Sequence, residues 1–366
     1  MEIRDTGQRR ILHCDMDSFF AAVHMRDEPH LREVPLVIGG DPDGRGVVST
    51  ANYAAREYGI HSAQPAATAK RLCPHAVFLR PELERYRRES RRIMDIFRDF
   101  TEIVEPASLD EAYLEVTGRL GPYGSATAVA EAIRARVREE TGLTVSIGVS
   151  NSRLVAKIAS DWDKPDGLTV VRPARVPEFL APLPVRKLHG VGPATGEVLS
   201  GMGITTVDDL RARSREELAG ALGQFGVTLH DFSRGIDPRP VGIPRERKSL
   251  GVEDTFQRDI GDLAEMDRRL TAMAGHVAEQ LSAKELRGRT ITAKVRFPDF
   301  RTLTRSQTLE RPSQDPEEIA FWACQLLRRT EAGHRPVRLL GVTVSNLEDN
   351  AGAPEQFSLF GSQNGL

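Results

Sequence analysis

The chain has 366 residues, 40% of them hydrophobic, which is ample for two or more packed domains. Its net charge of −2 and pI near 6.5 announce no polyanionic partner, although a bound duplex responds to local charge and not to the chain average. Cys14, Cys73 and Cys324 stand far apart with no C-x-x-C pair, and no apolar run approaches the ~20 residues that span a bilayer, so a soluble intracellular protein with no membrane partner is expected.

In chain order, Arg10 to His13 lead an apolar strand into Cys14-Asp15-Met16-Asp17. Leu36-Val37-Ile38 and Gly46-Val47-Val48 are strand candidates around a turn-rich segment. Helices are predicted over 51–58 and about 86–100. A strand pair follows, flanking the turn at Ala107-Ser108-Leu109. Next come an Ala-rich helix over 125–141, a β-branched strand over 144–149 and a helix near 153–160. Strands alternating with helices indicate an α/β or α+β domain. Residues 173–240 read as short helices broken by Gly and Pro, and 242–248 as a polar, basic linker.

From Ser249 the chain is again α/β. Ile291, Ala293, Val295 and Phe297 alternate with Thr290, Thr292, Lys294 and Arg296, placing the first set on a core and the second outward. Between Leu286 and Glu310 stand six basic residues and two acidic ones, which suits either a solvated sheet face or a phosphate backbone. Asp315 and Pro316 sign the start of a helix whose Ile319, Trp322, Ala323, Leu326 and Leu327 share a face. From Asp349 on, a polar tail is expected to be disordered, apart from the apolar island Gln356-Phe357-Ser358-Leu359-Phe360.

Two acidic clusters carry the chemistry: Asp15-Met16-Asp17 at a strand end and Ser108-Leu109-Asp110-Glu111 at a turn. Adjacent carboxylates repel unless a cation neutralises them, so acids gathered from separate strands suit Mg²⁺; taken singly, each pair reads sooner as a solvated turn. Two ions about 3.5–4 Å apart could activate a hydroxyl and stabilise a leaving pyrophosphate. Thr50, Tyr53 and Arg56, spaced by three, could line one helix face toward a triphosphate, with Lys164 adding a point charge. Gly190-Val191-Gly192, between helices, is either a plain turn or a hairpin whose N–H groups meet a phosphate.

These segments together resemble the Y-family translesion DNA polymerases, in the DinB (DNA polymerase IV) branch, over nearly the full chain. The resemblance is carried by the runs 13–23, 49–56, 108–113, 156–161 and 164–167, the Gly190–Gly192 hairpin and Lys248-Ser249-Leu250-Gly251. It implies an α+β multidomain, right-hand polymerase. A ferredoxin-like palm would take 1–18 and 84–172, small fingers 19–83, and a helical thumb with a helix-hairpin-helix 173–242. A linker (243–248), an α/β little finger (249–348) and a tail (349–366) would follow.

The resemblance makes Asp15, Asp110 and Glu111 the catalytic metal ligands, joined by the Met16 carbonyl, for two Mg²⁺ ions with Mn²⁺ as an alternative. It gives Thr50, Tyr53, Arg56 and Lys164 to the triphosphate and Phe20 to a steric gate against a ribose 2′-hydroxyl. Gly190, Gly192, Lys294 and Arg296 would contact primer–template DNA. Gln356, Leu359 and Phe360 resemble a peptide that binds the replication sliding clamp. The implied activity is template-directed, low-fidelity addition of dNTPs to a primer 3′-hydroxyl without proofreading, by a cytoplasmic, nucleoid-associated monomer. A palm-domain nucleotidyl cyclase and a catalytically inert DNA-binding scaffold are the alternatives. Four residues depart from the family pattern: His24 in place of Glu, Ser152 and Arg153 in place of Asn-Lys, and Asp163 before Lys164.

Overall fold

The computed structural model describes residues 9–243 and 246–349. They fall into two compact units that divide between residues 244 and 245. The first unit begins with β1 (Ile11–Met16), α1 (Phe19–Asp27), β2 (Leu36–Gly39), β3 (Val48–Ala51), α2 (Tyr53–Arg56), α3 (Ala66–Leu72) and β4 (Val77–Leu79). It continues with α4 (Leu83–Phe100), β5 (Val104–Pro106), β6 (Glu111–Glu115), α5 (Ala126–Thr141), β7 (Val145–Ser150), α6 (Arg153–Ser160) and β8 (Leu168–Val170).

The main sheet has the order β5-β6-β1-β7-β8, so the strand that carries Asp15 runs through its middle. β1 is buried along its whole length because both faces are covered. Leu12, Cys14 and Met16 face a core shared with α1, α4 and α5, while His13 points the other way, toward Ser160 of α6. α4 is amphipathic: Tyr86, Ile93, Ile96, Phe97 and Phe100 are buried and its arginines and acids are not. α5 starts where the Ser125 hydroxyl accepts the Ala128 N–H and stops at Gly142, whose φ of +67° a residue with a side chain resists. Burying each large apolar side chain of this core contributes about 1.5–3 kcal/mol.

A smaller sheet, β3-β2-β4, packs Val37, Val48, Ala51, Ala55, Ile60, Ala69 and Cys73 together. Two expectations shift here. The strand placed at 46–48 lies at β3, and the helix placed at 51–58 shrinks to α2. The Asn52 side chain is the cause: its Oδ1 accepts both the Leu36 and the Ala55 N–H at 2.9 Å, ending the strand and capping the helix at one point. Five helices complete the unit: α7 (Val176–Leu180), α8 (Pro193–Gly201), α9 (Val207–Arg211), α10 (Arg215–Leu222) and α11 (Gln224–Ser233). Thr206 and Ser214 head α9 and α10 with reciprocal capping boxes.

The second unit contains β9 (Ser249–Ile260), α12 (Leu263–Ser282), β10 (Leu286–Arg296), β11 (Thr302–Ser313), α13 (Pro316–Leu327) and β12 (Val337–Asp349). Its antiparallel sheet has the order β11-β10-β12-β9 and packs against α12 and α13. Ile291, Ala293, Val295 and Phe297 are fully buried, as their alternation predicts. Asp349, expected to head the tail, is instead the last residue of β12, opposite Leu286. Among the described residues, no helix is long and apolar enough to cross a membrane.

Candidate active site

Sheet register brings the two acidic clusters together. Asp15 on β1 is the pairing partner of Glu111 on β6, and Ser146 of β7 flanks it on the other side. Asp110 lies in the turn before β6, where its carbonyl accepts the Met16 N–H at 3.0 Å. Ser108 braces that turn: its hydroxyl donates to Asp110 Oδ1 at 2.5 Å and accepts the Glu111 N–H at 3.0 Å. Asp15, Asp110, Glu111 and the Met16 backbone therefore lie together where the interior strands β1 and β6 end.

The two paired acids are tuned in opposite directions. Asp15 is 8% exposed, and burial pushes its carboxyl up to about 7, against the pull of the Lys164 ammonium and with Glu111 and Asp110 adding repulsion. Lys164 donates to Asp15 Oδ1. Glu111 is held down, to about 2, by His13 Nε2 at 3.5 Å and by Lys157 Nζ at 2.6 Å. Lys157 is the closer partner and the lasting charge, because burial lowers His13 toward its neutral form.

All the donors at these strand ends are hard oxygens, three carboxylates and a peptide carbonyl, which suits a divalent cation of the Mg²⁺ class. Asp15 and Glu111 each hold an ammonium group, so the site already attracts positive charge. Among the described residues, no three His, Cys, Asp or Glu side chains are gathered at metal-holding distance; Asp15 and Glu111 turn toward separate lysines.

The proposed triphosphate residues are only partly arranged as expected. Tyr53 and Arg56 lie on α2, with the guanidinium 4.9 Å from the Tyr53 ring centre. Thr50 is on β3 and not on the helix, because β3 pairs with β2 through Thr50 and Ile38. Phe20 stands on α1 and is partly buried against the main core. The Gly190–Gly192 hairpin follows a 3₁₀ turn at Val185–Lys187 and leads into α8. Gly190 has φ +90°, and a Cβ there would meet the Phe225 ring at 2.7 Å. In the second unit, Lys294 is paired with Glu253 at 2.6 Å, and Arg296 donates to Thr302 Oγ1 at 2.9 Å. Gln356, Leu359 and Phe360 lie outside the described residues.

Two contributors escaped sequence reasoning: Lys157 and His13 reach Glu111 from α6 and β1. Asp17, named within its acidic cluster but not among the ligands, anchors the Lys164 loop through the Asp166 N–H. The Ala156–Asp161 run contains Lys157, but nothing in its spacing points at Glu111. Arg153, a departure from the family pattern, is buried in a bidentate pair with Glu105 at 2.6 and 2.8 Å and lies 4.3 Å from the Tyr113 ring centre.

The impB/mucB/samB family model matches residues 14–161, the IMS family HHH motif residues 173–204, and the impB/mucB/samB C-terminal domain residues 247–359. DNA polymerase IV of Halorhodospira halophila is 52% identical, covering 96% of this chain and 98% of its own. The chain belongs to the Y-family DNA polymerases, in the DNA polymerase IV branch. Within that branch, DNA polymerase IV of Alkalilimnicola ehrlichii is 53% identical over 93% of this chain and 96% of its own, and that of Clostridium perfringens strain SM101 is 45% identical over 93% and 95%. A solved Y-family DNA polymerase chimera of Dbh and Dpo4 superposes with a TM-score of 0.85 at 27% identity, covering 93% of this chain and all of that one. The right-hand architecture expected from the resemblance holds, and the cyclase alternative loses its footing: the match extends through the C-terminal domain.

Proposed function

We propose that this chain extends a DNA primer at the strand ends that carry Asp15, Asp110 and Glu111, with two Mg²⁺ ions as cofactors. As a Y-family member it is a DNA-directed, translesion DNA polymerase that depends on a divalent metal and binds primer–template DNA and dNTPs. The observation that carries the site assignment is the register of β1 against β6, which sets Asp15 opposite Glu111 while the Asp110 carbonyl takes the Met16 N–H. Asp15, Asp110, Glu111 and the Met16 carbonyl would hold the ions, which when bound lower the pKa of the primer hydroxyl and neutralise the leaving pyrophosphate.

The rest is positioning by the chain itself. Arg56, Tyr53, Thr50 and Lys164 orient the triphosphate so that the primer oxygen meets the α-phosphorus opposite the departing pyrophosphate. Phe20 excludes nucleotides that carry a 2′-hydroxyl. His189, the residue before the Gly190–Gly192 hairpin, lines a cavity of about 110 Å³ together with Lys157, the partner of Glu111. That placement supports a backbone contact from the hairpin to a primer phosphate. Lys294 and Arg296 serve the duplex from the second unit. Gln356, Leu359 and Phe360 bind the sliding clamp of a cytoplasmic, nucleoid-associated replication machinery, and the enzyme works as a monomer.

The test is single-nucleotide extension on undamaged and lesion-bearing templates with Mg²⁺, Mn²⁺ or chelator. Extension is expected with either ion, on both templates, and none with chelator. Undiminished extension in chelator contradicts the metal assignment.

A further inference from the structure

The face of α1 that carries Phe20 also carries His24, one helical turn later. Tyr86 of α4 bridges the two. Its ring lies parallel to that of Phe20, with centroids 4.0 Å apart and planes within 9°, and its hydroxyl sits 2.9 Å from His24 Nε2. His24 is 1% exposed and Tyr86 is fully buried. On the other side of the imidazole, Nδ1 faces Arg85 Nη1 at 3.1 Å and Glu28 Oε1 at 3.4 Å. Arg85 is held in turn by Asp27 at 2.8 Å and Glu82 at 3.4 Å. A guanidinium can only donate, so with Arg85 donating to Nδ1 the ring hydrogen sits on Nε2 and goes to the Tyr86 oxygen.

We propose that His24 is a positioning residue for sugar selectivity, acting through Tyr86 on the ring of Phe20. The proposal rests on Phe20 being the gate. A gate rejects a hydroxyl by steric conflict, and the strength of that conflict depends on how far the ring can yield. A parallel partner on one face of Phe20 limits its retreat only while the partner is itself fixed. The Tyr86 hydroxyl is fixed by His24, and His24 is fixed by the Arg85, Glu28, Asp27 and Glu82 array. Without that hydrogen bond the buried phenol keeps only its bond to the Glu82 backbone, and the stacked pair gains freedom to shift together. His24 thus acts from behind the ring.

The measurement is the ratio of kcat/KM for a dNTP to that for the matching rNTP, on primer–template with the full chain. The variants are His24→Leu, His24→Gln, Tyr86→Phe, the double variant H24L/Y86F, and Phe20→Ala. H24L is expected to lower the ratio about tenfold, the loss that follows from unpairing one buried hydrogen bond. Y86F keeps the stacked ring and deletes the hydroxyl, so it lowers the ratio too, and the double variant falls no further than the larger single effect. H24Q restores a donor near the Nε2 position and recovers most of the wild-type ratio. If H24L does not fold, the Y86F ratio decides.

An unchanged ratio in H24L and Y86F, while F20A lowers it, overturns the proposal and leaves the gate standing. A fall in melting temperature alone, at constant ratio, overturns it as well, because His24 is then merely structural. An unchanged ratio in F20A removes the gate assignment, and the proposal with it.

Discussion

The carboxylate of Asp17 accepts the backbone N–H of Asp166 at 2.8 Å, across 149 residues of sequence. The same buried group takes Thr144 Oγ1 at 2.7 Å, Ser146 Oγ at 2.8 Å and the Tyr53 hydroxyl at 3.4 Å. One acid at the end of β1 therefore ties down both the loop that presents Lys164 and the helix that presents Tyr53. Asp17→Asn sets amide hydrogens against some of these donors, at about 1–3 kcal/mol for each polar group left unpaired. Steady-state kinetics should show KM for the dNTP raised about tenfold or more with DNA affinity unchanged. An unchanged KM would separate Asp17 from nucleotide positioning.

Asp15 and Glu111 carry opposite linkage to stability. Burial raises Asp15 from an ordinary 3.8 to about 7, so its ionised form costs stability, increasingly from pH 4 to 7 and fully above. Glu111 falls from 4.5 to about 2, so its ionised form adds stability above pH 4.5 that is lost as pH drops toward 2. In chelator at pH 8, Asp15→Asn should raise the unfolding free energy by on the order of 2 kcal/mol, a gain that vanishes below pH 4. Glu111→Gln should lower it by about 1 kcal/mol at pH 8, discounted for partial solvent access. Denaturant melts at pH 4 and 8 check both, and equal signs for the two variants would refute the tuning described.

In the second unit, Lys294 shares its charge with Glu253, whereas Arg296 is bonded to a hydroxyl. If both serve the duplex, Arg296→Ala should weaken DNA binding and reduce the slope of log K against log salt by about 0.9. Glu253→Gln should tighten binding by releasing Lys294. Salt-dependent anisotropy titrations decide, and an unaltered slope in R296A takes that residue off the DNA.

Much of this architecture is legible in the sequence. The alternation through 290–297 and the Asp315–Pro316 helix start both match what forms, because each records a local rule. Thr302–Ser313 carries no comparable signal: half of its side chains are exposed, and its strand character comes from pairing with β10. Thr50 misled for a related reason. Its spacing from Tyr53 and Arg56 fits a helix, but pairing of β3 with β2 overrides the pattern at that point. In the site, the acids were visible as clusters while their partners were not. Lys157 and His13 meet Glu111 only through sheet register and the packing of α6, which spacing along the chain does not encode.

The Gln356–Phe360 island predicts a partner more than a fold. Deleting those five residues should leave distributive synthesis intact and abolish stimulation by the sliding clamp. Full stimulation of the truncated enzyme in a clamp-loaded extension assay would contradict the assignment.

The central claim is that Asp110, joined through Met16 to the strand that carries Asp15, belongs to the catalytic metal site. Single-turnover primer extension by Asp110→Ala, with DNA affinity measured alongside, tests it most directly. Removing one ligand of an electrostatic site should cut the rate by at least about 10³-fold while the dissociation constant for primer–template stays within about threefold of wild type. Extension at the wild-type rate would contradict the assignment.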